Sequence, residues 1–146
     1  MKFLTRENII SMVQASVGAK LWRHNFALVD GHKKDLVKNG RLSCAFFVSS
    51  ILFHFKMISD LHTTVEGTER DMLANNFRRV KKPVPGDVIV WGPSNIHDVT
   101  PHLHIGFFIG GTRAISNSSR FGFPIRHDIN FGAQNRKITG FYHYKM

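Results

Sequence analysis

The feature that most constrains this chain is a change of period at Pro83-Val84-Pro85-Gly86. Before it, apolar residues recur at helical spacing. After it come β-branched and aromatic runs with the period-two pattern of strands, separated by Gly-containing turns. Helices first and antiparallel strands second predict an α+β fold, with N-terminal helices packed on one side of a small antiparallel sheet. With 146 residues, the chain is expected to form one domain spanning 1–146 and to bury a core without disulfides or metal.

Taken in order, Thr5 caps a first helix running to about Val17, with Ile9, Met12, Val13 and Val17 on one face and Gly18 at its end. Residues 20–40 read as irregular, with turns at Asp30-Gly31 and Asn39-Gly40. A second helix begins at Ser43-Cys44 and carries Val48, Ile51, Leu52, Phe55 and Ile58 at helical spacing. Thr63 or Thr64 caps a shorter third helix, residues 65–74. Strands are then expected at 87–92, 102–109, 113–117 and 138–144, with a hairpin turn at Gly110-Gly111-Thr112 and a bulge at Gly140. Residues 118–124 read as a loop, and His127 beyond it as loop surface, with lining of the cleft as the alternative.

The chemistry starts from Cys44, the one cysteine in the chain. Ser43 is a good N-cap residue, which places Cys44 in the first helical turn. There the free amides and the positive end of the helix dipole favour a thiolate, the nucleophilic form. The competing reading is a small, buried apolar thiol. A nucleophile needs a base, and His102-Leu103-His104-Ile105-Gly106 offers one. In a strand, His102, His104 and Gly106 share one face, and the glycine leaves room beside His104 for a substrate or a facing helix. The imidazole needs a partner on its other nitrogen. Asn117 on the next strand fits, with Ser116 the alternative if the hairpin register differs by one.

Four features occur in order: Ser43-Cys44-Ala45, Pro85-Gly86-Asp87-Val88-Ile89-Val90-Trp91, His104-Ile105-Gly106-Phe107-Phe108-Ile109-Gly110, and a polar residue after the next turn. Together they resemble the NlpC-type cell-wall cysteine peptidases and the related CHAP amidases, which share a small papain-like fold. The resemblance covers roughly Arg41 to Ser119. It implies Cys44 as nucleophile, His104 as base and Asn117 as the orienting third residue; Ser116, His102 and Ser43 are candidate supporting residues from their positions in the sequence. It also implies amide bonds of peptidoglycan as substrate and no cofactor. Many members place a tyrosine before the cysteine, where Trp22 and Phe26 are the candidates here. Simple counting from the histidine lands the third position nearer Ser116 than Asn117.

Charge bears on partners. A formal net charge of +10 favours anionic ones: a wall polymer, an acidic lipid surface or nucleic acid. Short basic clusters stand at Lys33-Lys34 and at Arg78-Arg79-Val80-Lys81-Lys82. No RNP, KH or zinc-finger pattern accompanies them, so a nucleic-acid module is a rival and not the first reading. The other rival is a zinc site built on His97, His102 and His104, although no HExxH pattern is present. No apolar stretch approaches membrane-spanning length. The start of the sequence lacks the apolar run of a secretion signal, so a cytoplasmic location or delivery by a non-Sec route is expected.

Overall fold

The computed structural model describes residues 1–94 and 102–146. Three helices come first: α1 (Thr5–Ala15), α2 (Cys44–His54) and α3 (Val65–Ala74). Between α1 and α2 lies a hairpin of β1 (Phe26–Val29) and β2 (His32–Asp35). The rest of the chain builds a second sheet from β3 (Phe77–Val80), β4 (Val88–Trp91), β5 (His104–Gly110), β6 (Arg113–Asn117), β7 (Pro124–Asp128) and β8 (Ile138–Tyr144). Its order is β3-β8-β4-β5-β6-β7, and all five neighbour pairs are antiparallel. This is the α+β architecture expected from the change of period.

Both faces of the sheet are covered. On one, Val88, Val90, Ile105, Phe107 and Ile115 pack against Phe47, Val48, Ile51 and Leu52 of α2, with Ile9 and Val13 of α1 in the same cluster. On the other, Ile89, Trp91, Phe108 and Ala114 are covered by Ile129, Phe131, Ile138 and Phe141. The opposed faces follow from alternation along each strand. β4 is buried at all four positions, as its uninterrupted Val-Ile-Val-Trp run demands of a central strand. Its entry is pinned by Asp87, which is 2 % exposed, accepts from Arg6 of α1 at 3.2 Å and lies 2.8 Å from His143 Nδ1 of β8.

Several local expectations are corrected. α1 starts one residue after Leu4, with Thr5 inside it, and ends at Ala15, so Val17 is exposed. α2 stops at His54 with Phe55 as C-cap, and Ile58 packs from beyond the helix. Residues 20–40 are not wholly irregular: Asp30 and Gly31, both at positive φ (51° and 77°), turn the β1–β2 hairpin. β3 and β7 were not expected at all. β5 begins at His104, not at residue 102. α3 has the expected bounds, and Thr64 accepts from the Gly67 amide as an N-cap. β8 also has its expected bounds, and its register against β4 shifts between Val90 and Trp91, leaving Thr139 as the extra residue beside Gly140.

Candidate active site

Cys44 is the first residue of α2 and is half-buried. Ser43 occupies the N-cap position but does not cap with its side chain: its hydroxyl donates to the Trp22 carbonyl. Ser43 is fully buried, so this bond ties the segment before the hairpin to the cysteine. The amides of the first turn have no acceptor within the helix and remain available to a ligand. Trp22 packs edge-on against Phe47 of α2 at 4.8 Å. Phe26 lies on the hairpin, stacked on His24.

His104 opens β5, and Cys44 and His104 line one cavity of about 70 Å³ together with Asn117 and Arg136. Cys44 also lines a larger cleft of about 610 Å³. That cleft is walled by Leu36 and Leu42 on one side, by Thr63–Glu66 at the start of α3 on another, and by Pro93, His102 and Leu103. The helix start thus stands where a small enclosed space meets an open groove. His102 is exposed at the rim, and its carbonyl accepts from Arg136 at 2.7 Å.

The electrostatics differ from the expectation of a resting thiolate. Burial pushes the Cys44 thiol above its ordinary value. The amides of Ile105, Ala45 and Cys44 and the charge of Arg136 pull the other way without prevailing. Burial also pushes His104 down to about 3, with the positive charges of Arg136 and His127 adding to it. In this enclosed setting the desolvation of a charge outweighs the helix dipole. At neutral pH both the thiol and the imidazole are uncharged.

The partner of His104 is Ser116. Its Oγ lies 2.8 Å from His104 Nε2 and 2.6 Å from Nε2 of His127. Asn117, the residue expected in that role, instead donates to the Gly40 carbonyl at 2.8 Å, and its buried Oδ1 has no partner. The cause is a bulge. Gly110 pairs with Arg113, but Phe108 pairs with Ala114 and Phe107 with Ile115, so Ile109 is an extra residue on β5. That shifts the register by one and exchanges the faces of β6, which puts Ser116 on the side of His104. Gly106 then lies against Ser116. A Cβ there would meet Ile115 O and Ser116 Cβ at 2.7 Å and Trp91 at 3.2 Å. The space beside His104 is therefore closed by β6, not open to a helix or a substrate.

His127, read as loop surface in the sequence, lies on β7 and is half-buried in this group. Its ring stacks on Phe131 at 4.2 Å, and Trp91 lies 5.4 Å from His104 and 5.6 Å from His127. The one cue to it in the sequence is Pro124-Ile125-Arg126-His127-Asp128 following a turn, too polar to stand out as a strand. Among the described residues no cluster of three His, Cys, Asp or Glu is placed to hold a metal ion. His97 of the zinc alternative lies outside the described residues.

Known structures share this arrangement of elements. A chain of the type VI native effector–immunity complex Tae3–Tai3 from Ralstonia pickettii superposes with a TM-score of 0.57 at 17% identity, over 96% of this chain and 98% of that one. NlpC2 from Trichomonas vaginalis superposes with a TM-score of 0.60 at 13% identity, over 99% of this chain and 48% of its own. The present chain thus has the NlpC-type, papain-like fold and spans about half the length of NlpC2. No protein-family model matches the sequence, and no curated protein matches it.

Proposed function

We propose that this chain is a cysteine-dependent amide hydrolase acting on peptide bonds of peptidoglycan, with Cys44 as nucleophile and His104 as base. The observation that carries the reading is one cavity lined by both side chains, at the start of a helix and at the mouth of a larger groove. The shared fold with NlpC2 supports the same class of chemistry.

In the proposed reaction the sulfur of Cys44 attacks the amide carbonyl carbon as its proton passes to His104. The carbonyl oxygen gains the negative charge, and in this reading the backbone N–H of Cys44 donates to it. His104 returns the proton to the leaving nitrogen, the C–N bond breaks, and a thioester on Cys44 remains. Water, deprotonated by His104, attacks the thioester, releasing a carboxylate and restoring the thiol. Starting from a neutral pair, proton transfer accompanies attack instead of preceding it.

Incubation with purified peptidoglycan fragments, followed by mass analysis, tests this. The native chain should release hydrolysed fragments, and Cys44→Ala should lose activity by up to about 10⁶-fold, the scale for removing a nucleophile. Equal product from both proteins would defeat the reading. Within this activity we favour the setting of a delivered toxin, because the Tae3–Tai3 chain is covered almost end to end. Expression directed to the periplasm should then lyse cells, while cytoplasmic expression should not.

A further inference from the structure

His127 is a half-buried titratable group close to His104 that the mechanism above leaves unused, and its bonds have a direction. Nδ1 of His127 lies 2.7 Å from the Asp128 carbonyl. A carbonyl only accepts, so Nδ1 carries a hydrogen there. In a neutral imidazole the other nitrogen is then an acceptor. Nε2 of His127 faces Ser116 Oγ at 2.6 Å, so the single hydroxyl proton of Ser116 is directed at it. The lone pairs of Ser116 are left for His104 Nε2 at 2.8 Å, which must therefore be the donor.

We infer that His127 is a positioning residue that sets the tautomer of His104: through Ser116 it holds the proton of His104 on Nε2 and leaves Nδ1 as the basic nitrogen. The inference rests on the hydrolase reading for its catalytic consequence but not for its geometry. The chain runs from His104 on β5 through Ser116 on β6 to His127 on β7, so three adjacent strands must keep register for it to form. It does for His104 what a carboxylate or amide does in a simpler triad, with a hydroxyl as the group that accepts from the imidazole.

The surroundings keep His127 in the state the chain needs. Burial lowers its affinity for a second proton, against the pull of the Asp128 carbonyl. Arg113 on β6 adds to the lowering, and the Asp128 carboxylate opposes it. A second proton would turn Nε2 of His127 into a donor. Ser116 would then lose the acceptor for its hydroxyl, and that hydroxyl would be free to donate to His104 Nε2, moving the imidazole proton to Nδ1.

The test replaces the acceptor and keeps the ring. His127→Phe preserves the stack on Phe131 but offers Ser116 no acceptor. His127→Gln keeps an acceptor at similar reach. The ¹⁵N shifts of the His104 ring, identified by their loss in His104→Gln, should report the Nε2–H form in the native chain and in His127→Gln. In His127→Phe they should move toward the Nδ1–H form. On wall fragments kcat should fall about a hundredfold in His127→Phe with KM unchanged, on the way to the ~10⁴-fold loss of a triad held in the wrong tautomer. His127→Gln should recover most of that loss. Should His127→Phe fail to fold, Ser116→Ala takes its place, and adding His127→Gln to it should change the rate no further. An Nδ1–H tautomer in the native chain overturns the inference, as does a His127→Phe protein with native tautomer and rate. The ring shifts are read without substrate, so inactivity on peptidoglycan would defeat the hydrolase reading and leave this one standing or falling by itself.

Discussion

Burial acts on Cys44 and His104 in the same sense: it removes charge from both. The consequence for stability has a definite sign. The folded state binds a proton on His104 at about 3, and the unfolded chain near the ordinary 6.5. Between those values the unfolded state holds more protons, so stability is complete above 6.5 and falls as pH drops toward 3, by up to about 1.4 kcal/mol per pH unit for one group. His127 is shifted in the same direction. Asp35 and Asp71 are also lowered, their backbone and histidine partners outweighing burial, and their contribution is lost only below the ordinary 3.8. Urea denaturation at pH 7, 5 and 4 should show a steady loss, smaller in His104→Gln. At this scale the meeting of Cys44 and His104 at one cavity was legible, because a lone cysteine at a helix start and a histidine on a strand stand out among apolar neighbours. Ser116 was not separable from Asn117, because one extra residue at Ile109 decides which of them faces inward, and hairpin bulges leave little trace in composition. His127 was hidden because β7 is an edge strand whose polar residues do not stand out as a strand.

The elements that the sequence shows clearly are those with a buried face. α3, β4 and β8 stand within a residue of their expected bounds. The strands it hides are edges or exposed ribbons. β3 ends one side of the sheet and exposes Arg78 and Arg79, so its basic run looks like surface. β7 ends the other side with polar residues. β1 and β2 form a two-stranded sheet in which Phe-Ala-Leu-Val is apolar throughout and His-Lys-Lys-Asp polar throughout, so neither shows the apolar–polar alternation that marks a half-buried strand. The β5–β6 pair carries a direct prediction. Gly106→Ala would push a methyl to 2.7 Å from the Ile115 carbonyl and the Ser116 Cβ, neither of which is the free end of a flexible chain. Overpacking of this kind costs about 1–3 kcal/mol, read as a lower urea midpoint. Separation of the strands should also lengthen the His104–Ser116 bond, so kcat should fall in the fraction that remains folded.

For the molecule as a whole, the net charge of +10 is the dominant long-range property. Lys33 and Lys34 sit on the hairpin just before Leu36, which lines the open cleft, so part of that charge lies near the groove. Hydrolysis of anionic wall fragments should therefore slow several-fold as salt rises from about 0.05 to about 0.5 M, since the screening length is already near 10 Å at 0.1 M. A small neutral amide should show no such slope, which separates steering from chemistry. No described helix is long and apolar enough to cross a membrane.

The place of β8 has a further consequence. It is last along the chain yet lies between β3 and β4. During synthesis, residues 77–80 and 88–91 emerge well before 138–144, and until then neither can complete its ladder on that side. The thiol and imidazole are made early, but the scaffold beneath them closes late. A ribosome carrying this chain holds β3 and β4 with their facing edges unpaired until residues 138–144 slide between them.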